Sequence, residues 1–327
     1  MISSIEAPAR VVATDVDPAF RADVLRGLDL TQKAIPARWF YDRRGSELFE
    51  AITLTPEYYP TRTERALLAS AASKIAGLVG PGRAVIEFGS GSSTKTPLLL
   101  SAIAPAVYVP IDISGAFLQA SAAALARSFP DLPIAPFEAD FTGPLALPVM
   151  AASVPRLGFF PGSTIGNLTA PAAVDLLRAM AATLGEGARL LIGMDRVKSL
   201  DVLLPAYDDV AGVTAAFNLN LLHRINAELR GTIPVDAFRH EARWNDAESR
   251  IEMHLCAERD VRFSVVDRSY FMTEGETIHT ENSAKYGPRD ASLLLRAGGW
   301  TPMQSWTDPE AYFSLILARA EAPPPAP

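Results

Sequence analysis

Between residues 83 and 195 the chain alternates five times between short apolar runs and segments with helical spacing, a pattern few architectures accept. The runs cover 83–86, 106–111, 132–139, 156–160 and 188–194. Runs apolar on both faces are buried on both faces, and strands joined by helices run parallel. The expected fold class is therefore α/β, a doubly wound sheet with helices on both faces. Ligands of such sheets lie beyond the carboxyl ends of the strands. Asp112, Asp140, Asn167 and Asp195 all fall at or just past those ends, beside Gly89 and Gly91. Four polar strand ends in register read as a site rather than as solvated surface.

The first strand opens into VIEFGSGSSTKT, residues 85–96. Its turn, Gly89-Ser90-Gly91, removes the Cβ atoms that would keep a ligand from the backbone. The spacing is not that of a dinucleotide fingerprint, because Thr94 stands where the third glycine belongs. Glu87 before the turn and Asp112 on the next strand suit S-adenosylmethionine (SAM) better than NAD. A plain strand-to-helix turn remains the alternative on these residues alone.

Composition narrows the function classes. A net charge of −7, with no Lys/Arg cluster, argues against a nucleic-acid partner. Cys256 is the only cysteine, so an intrachain disulfide is impossible and a reducing compartment is expected. The first residues, MISSIEAPARVVATDVDPAF, contain early acids and no apolar core of a secretory signal. No apolar run approaches the ~20 residues that span a bilayer. These features lead to the expectation of a cytoplasmic protein without membrane contacts, and nothing marks an interface, so a monomer is the default.

Residues 1–17 and 321–327 read as flexible termini. Residues 17–30 have helical spacing, and an aromatic-rich passage follows at 37–59, where packing explains most rings. Tyr58-Tyr59 between two prolines is the exception, since one of them could face a ligand. Thr61-Arg62-Thr63-Glu64 has the form of a capping box ahead of a helix that ends near Gly80. After Asp195 the pattern changes. Residues 198–229 read as two helices, with Tyr207-Asp208-Asp209 inside the first; 237–244 and 251–257 read as an antiparallel hairpin, 262–271 as another strand and 276–286 as extended chain. From Pro288 a helix and two strands close the chain, as a class I methyltransferase sheet closes. The expected organisation is a discontinuous methyltransferase domain, 63–197 and 288–320, with a smaller α+β substrate-binding domain, 18–62 and 198–287.

SAM makes definite demands. Its ribose diol needs a carboxylate at the end of the second strand, which Asp112 supplies. Its adenine needs an acceptor and an apolar surface after the third strand, which Asp140 and Phe141 supply. The sulfonium end lies over Gly89-Ser90-Gly91, leaving Lys95 free for the methionine carboxylate, or solvated at a helix start. Methyl transfer is a direct displacement that needs alignment and exclusion of water more than acid–base groups. The four histidines lack metal-ligand spacing and read as ordinary core or surface residues, so no metal is expected. Glu281 and Ser283, two apart on extended chain, project to one face. A carboxylate and a hydroxyl can hold a neutral imidazole; a solvated strand edge is the other reading.

PEYYPTRTE (56–64), EFGSGSSTKT (87–96), GSTIGNL (162–168), AYDD with AGVTAAFN (206–218) and TENSAKY (280–286) together resemble the histidine Nα-methyltransferase family of ergothioneine biosynthesis. The similarity covers roughly 18–320. Members convert L-histidine to hercynine, its Nα-trimethyl derivative, with three SAM molecules, on a Rossmann-like domain joined to a substrate domain. The resemblance implies SAM contacts at Gly89, Lys95, Asp112, Asp140 and Phe141. It implies histidine contacts at Asn167 and Tyr207 for the amino-acid end, and at Tyr58, Glu281 and Ser283 for the imidazole. Tyr41 would lie close to the amine, and Met253 would line the ring pocket. Competing readings are a related methyltransferase of tryptophan or tyrosine, a SAM-binding protein without turnover, and a nicotinamide dehydrogenase. A buried Glu281 facing an apolar ring would be poorly satisfied, which disfavours the first.

Overall fold

The computed structural model describes residues 16–91 and 95–321. The expected flexible termini lie largely outside those residues, as does Thr94. In chain order the elements are α1 (Pro18–Leu28), β1 (Lys33–Ala34), α2 (Arg43–Thr53), α3 (Tyr59–Val79), β2 (Ala84–Phe88), α4 (Thr96–Ile103), β3 (Val107–Asp112), α5 (Gly115–Ser128), β4 (Phe137–Glu138), α6 (Val149–Ala152), β5 (Arg156–Phe160), α7 (Ala170–Leu184) and β6 (Arg189–Asp195). Then follow α8 (Leu200–Leu203), α9 (Val213–Glu228), β7 (Phe238–Asn245), β8 (Arg250–Ala257), β9 (Val261–Val265), β10 (Arg268–Met272), β11 (Thr277–Ala284), α10 (Pro288–Ala297), β12 (Trp300–Thr307) and β13 (Phe313–Ala320).

The described chain forms two compact units. The larger holds 50–211, 242–252 and 282–321, apart from 92–94, and the smaller holds 16–49, 212–241 and 253–281. The smaller unit is narrower than the expected substrate-binding segments. Helix α3 and residues 198–211 belong to the larger unit, where Tyr59, Lys198 and Tyr207 are hydrogen-bonded.

The larger unit contains a seven-stranded sheet in the order β12-β13-β6-β5-β2-β3-β4. Strands β4, β3, β2, β5 and β6 are parallel, as the alternation requires, and β13 and β12 close the sheet antiparallel. Period-two alternation divides the apolar side chains between the faces. Ala84, Ile86, Phe88, Val109, Ile111 and Ile192 pack with Leu176, Leu177 and Met180 of α7 and with Leu295 of α10. Val85, Tyr108, Phe159, Leu191 and Leu315 pack on the other face with Leu68, Ala71 and Ile75 of α3 and Leu99 of α4. Each such buried Leu or Ile contributes about 1.5–3 kcal/mol. Helices therefore cover both faces, as expected.

Four local expectations are corrected. Helix α3 begins at Tyr59, with Pro60 in its first turn and no side-chain cap from Tyr58, so Thr61–Glu64 is not a capping box. Glu64 is fully buried, and its carboxylate reaches other elements instead of the helix start. The third strand contracts to Phe137–Glu138, because Pro133 and Pro136 have no N–H to donate; Ile134 remains as an isolated bridge to Tyr108. Tyr207–Asp209 lies in turns after α8, not in a helix, since Pro205 cannot continue the helical hydrogen bonding. Residues 262–271 are two strands, β9 and β10, turning at Val266 with φ +58°.

In the smaller unit the strand order is β1-β11-β8-β7, with β9-β10 as a separate hairpin; the chain passes from one unit to the other within β7, β8 and β11. Asp17 caps α1 by accepting from the Ala19 amide at 2.8 Å. Buried Asp23 accepts from Arg38 at 2.6 Å and from the Trp39 indole at 2.9 Å, and also pairs with Arg26. Burial pushes its acidity one way, but these donors win and hold the carboxyl below the usual range. Trp39 and Phe40 are core residues, and Phe40 lies 4.5 Å from Phe217 of α9. Packing thus explains these aromatics, as expected.

Beneath the sheet's first turn, Glu87 is buried with its carboxylate accepting from Thr96 Oγ1 at 2.7 Å and Tyr108 Oη at 2.5 Å. Burial pushes this carboxyl up to about 7 against those hydrogen bonds. A carboxyl raised in the fold binds more protons than in the unfolded chain between about pH 4.5 and 7, so its contribution to stability falls as pH rises through that window. Glu87→Gln imitates the protonated form. Melting scans from pH 5 to 8 are expected to show the variant gaining on the wild type as pH rises; a constant difference in Tm contradicts a raised carboxyl.

Candidate active site

The glycine turn after β2 offers steric room rather than free donors. Gly89 and Gly91 have φ +69° and +49°, values that glycine adopts without penalty. The amides of Gly89 and Ser90 both donate to the Ile111 carbonyl, at 2.9 and 3.0 Å, and that of Gly91 donates to Asp112 Oδ2 at 3.0 Å. These three amides are therefore satisfied within the protein. Ser90 is buried, and a Cβ on Gly89 would meet the Phe141 ring at 3.4 Å.

Asp112 ends β3 as expected. Each of its oxygens accepts one backbone N–H, Oδ2 from Gly91 and Oδ1 from Ser114 at 3.0 Å. A carboxylate has about four acceptor positions, so this one retains capacity for a diol. Asp140 is exposed and accepts from the Thr142 amide at 2.9 Å. Phe141 packs edge-on against Phe88 and Phe160, at 5.9 and 6.2 Å between centroids. An anchored acceptor, an aromatic surface and a turn with two positions lacking Cβ fit an adenosyl group with a diol, which is the chemistry of SAM.

Lys95 is not free, contrary to expectation. Its ammonium pairs with Glu64, and both Glu64 oxygens also accept from the Gly162 amide, at 3.0 and 2.9 Å. A Cβ on Gly193 of β6 would come within 2.1 Å of Glu64 Oε1, so glycine there makes room for the carboxylate. The Thr61–Glu64 spacing suggested a helix cap and masked this role.

A second group of sequence motifs converges on Asp195, at the end of β6. Its carboxylate is 1 % exposed and binds the ammonium groups of Lys198 at 2.6 Å and Lys285 at 2.8 Å, and the Tyr59 hydroxyl at 2.7 Å. Its backbone N–H donates to Ser163 Oγ at 2.9 Å, and its carbonyl accepts from the Tyr286 amide at 2.9 Å. Burial works against ionisation, but the two lysines outweigh it and hold the carboxyl below its usual range. Burial pulls Lys198 down to about 8 despite the Asp195 charge. Burial, then the Asp195 charge, raises the Tyr59 hydroxyl far above the tyrosine range.

Lys285 has no exposed side-chain surface, and its Nζ also donates to Tyr207 Oη and Ser283 Oγ, both at 2.7 Å. Those two hydroxyls are 2.7 Å apart, and the Tyr58 ring stands edge-on to Tyr207 at 6.3 Å. Asn167 ends a short 3-10 turn, Thr164–Asn167, that follows β5. A Cβ on Gly166 would meet the backbone of Ala284 at 2.9 Å, so the turn lies directly against the end of β11. The larger unit thus brings Tyr207, Ser283 and Tyr58 together with Lys285, Asp195, Lys198 and Tyr59. The sequence reading placed Asp195 at a strand end but missed its two lysines. Their signal was a strand-end acid with one lysine three residues on and another distant in the chain.

The remaining expected residues lie in the smaller unit. Tyr41 packs against Phe49 and Phe217, at 5.7 and 5.9 Å. Met253 is buried in β8, and its carbonyl accepts from Thr280 Oγ1 at 3.0 Å. Glu281 is half-buried on β11, and its carbonyl lies 3.0 Å from His279 Nε2. The strand geometry of β11 keeps Glu281 and Ser283 on one face, as expected. His240 and His254 are core residues, hydrogen-bonded to Asn218 and to Thr277.

Residues 20–320 match the family described as histidine-specific, SAM-dependent methyltransferases. The chain is 40% identical over 315 residues to a histidine N-alpha-methyltransferase of Mycolicibacterium smegmatis, across 94% of this chain and 97% of that protein. It is 41% identical over 310 residues to a protein of the same description from Mycobacterium tuberculosis, across 92% and 94%. It is 26% identical to a 4-dimethylallyltryptophan N-methyltransferase of Aspergillus fumigatus, across 90% and 92%. The match runs from α1 through β13 and includes both the adenosyl-type turn and the Asp195 cluster; the chain belongs to the family of SAM-dependent, histidine-specific methyltransferases.

Proposed function

We propose that the protein trimethylates the α-amine of L-histidine, giving hercynine, the first step of ergothioneine biosynthesis. The observation that carries this reading is the similarity to the Mycolicibacterium smegmatis histidine N-alpha-methyltransferase along nearly the full length of both chains. SAM, when bound, supplies an electrophilic methyl group on a sulfonium. Asp112 takes the ribose diol, Asp140 and Phe141 take the adenine, Gly89, Ser90 and Gly91 leave room for the sulfonium side, and Lys95 takes the methionine carboxylate. The pairing of Lys95 with Glu64 supports a held rather than a mobile lysine.

For histidine, Asn167 and Tyr207 hold the α-carboxylate, Glu281 and Ser283 hold the imidazole with Tyr58, Tyr41 lies by the amine, and Met253 lines the ring pocket. The SAM-binding role is assigned to 63–197 and 288–320 and the substrate-binding role to 18–62 and 198–287, with the protein acting as a monomer in the cytoplasm and without a metal. In each transfer the lone pair of the neutral amine would form the N–C bond as the S–C bond of SAM breaks and S-adenosylhomocysteine departs; the first two products lose a proton to solvent, and the third has none to lose. Successive methylation ends in a quaternary cation, which aromatic faces such as those of Tyr58 and Tyr207 tolerate.

Purified protein incubated with histidine and excess SAM is expected to yield the trimethyl product by mass spectrometry; a histidine left unmodified removes the reading. Because the attacking amine must be neutral and an α-amine titrates near about 8, kcat/KM for histidine is expected to rise between pH 7 and pH 9, whereas a flat profile contradicts rate-limiting attack by the neutral amine. Calorimetric titration of Glu281→Ala tests the imidazole contact. Loss of a hydrogen bond to a charged group is worth about 1.5–3 kcal/mol, so histidine should bind at least ~10-fold more weakly while SAM binding is retained. Equal histidine affinity excludes Glu281 from the imidazole.

A further inference from the structure

We propose that Lys285, held by Asp195, is a positioning residue for histidine that locks the Tyr207 and Ser283 hydroxyls together as a pair. The proposal deepens the histidine reading and rests on it.

Lys285 has three N–H bonds and no acceptor. The three oxygens around it are Asp195 Oδ2 at 2.8 Å, Tyr207 Oη at 2.7 Å and Ser283 Oγ at 2.7 Å. All three donors are thus spent inside the protein, and none is offered to a ligand. Its side chain is completely buried, and Asp195 is the opposite charge that faces it. Asp195 in turn holds Lys198 at 2.6 Å. Two ammonium groups share this one carboxylate, and the Lys285 ammonium lies next to Tyr207.

Two consequences follow for the hydroxyls. Both oxygens already accept from Lys285, and they lie 2.7 Å apart. At that separation one hydroxyl donates to the other, because two oxygens facing each other without a proton between them repel. The pair therefore directs one proton outward, from Ser283 if Tyr207 donates to it, and from Tyr207 if Ser283 donates to it. A neutral imidazole nitrogen needs a donor, and a carboxylate needs one as well. Tyr207 and Ser283 cannot meet both demands at once, so the direction of the pair couples what they offer at the two ends of the amino acid. Without Lys285 the donor that holds both oxygens in place is gone, each hydroxyl can turn to another acceptor, and that coupling is lost.

Removing Lys285 leaves Asp195 with Lys198, so the carboxylate keeps a cation and Lys285→Met has a physical basis for folding. The test compares wild type, Lys285→Met, the double variant Tyr207→Phe/Ser283→Ala, and the triple variant, each measured for SAM affinity by calorimetry and for KM and kcat with histidine. The expected result is a rise of at least ~10-fold in histidine KM for Lys285→Met, with SAM affinity within about twofold of wild type. In the Tyr207→Phe/Ser283→Ala background the same substitution should change histidine KM by less than about twofold, since its targets are gone. A residue serving the fold alone would add its full effect in both backgrounds, and that result overturns the proposal. An unchanged histidine KM in Lys285→Met overturns it too. Should Lys285→Met lose SAM binding, Lys285→Gln, which is neutral but retains donors, is put through the same comparison with the same criteria. A wild type that neither binds nor methylates histidine removes the histidine reading itself, and this assignment with it; a wild type that turns histidine over while the variants behave additively removes this assignment alone.

Discussion

The larger unit depends on a carboxylate that solvent does not reach. Asp195 is 1 % exposed at the end of a central strand, and an isolated charge there would cost several kcal/mol. It persists because chain segments far apart in sequence each supply a partner: Tyr59 from α3, Lys198 after β6, and Lys285 after β11. Losing one lysine leaves the carboxylate the other, whereas losing Asp195 itself leaves two buried ammonium groups uncompensated, typically a loss of about 3–5 kcal/mol. The interaction therefore fixes which segments lie together more than it adds net stability. The tyrosine and serine hydroxyls assigned to substrate are held by the same centre.

The adenosyl side follows a different logic. There the sheet's first turn is closed on itself, its amides satisfied by Ile111 and Asp112, and the ligand's share is open space and the remaining capacity of one carboxylate. Glu64 carries a comparable duty for Lys95 and the Gly162 amide. On both sides of the reaction groups proposed to touch ligand are held by buried carboxylates, Glu64 for SAM and Asp195 for the acceptor. Rigid placement of this kind suits a displacement in which alignment is the principal demand.

Much of this was legible in the sequence because it is periodic or local. The alternation from 83 to 195 required a parallel sheet, and the residues at strand ends followed from it. The hairpin of β7 and β8 and the extended β11 were visible in period-two patterns. Local rules failed where a residue answered to something distant. Thr61 and Glu64 have the spacing of a cap, but Glu64 is drawn to Lys95 and Gly162, 31 and 98 residues away. Tyr207 looked helical in spacing, but Pro205 ends the helix and the tyrosine joins a cluster closed by a lysine 78 residues later. Val266 adopts a backbone conformation that β-branched residues seldom enter, so the β9–β10 turn had no composition signal. Long-range electrostatic partners leave no periodic trace.

Gly166 has a mechanical consequence. With no Cβ at that position, the turn ending in Asn167 rests on the backbone of Ala284 without a side chain between them. Side chains act as compliant spacers, because rotamers can absorb small displacements, whereas backbone against backbone has no such slack. Asn167, one residue beyond the contact, and Ser283, one residue before it, are therefore coupled as parts of a single stiff body. A displacement of the strand by a few tenths of an ångström would be passed on to the turn, so the spacing between these two side chains is held by the backbone itself.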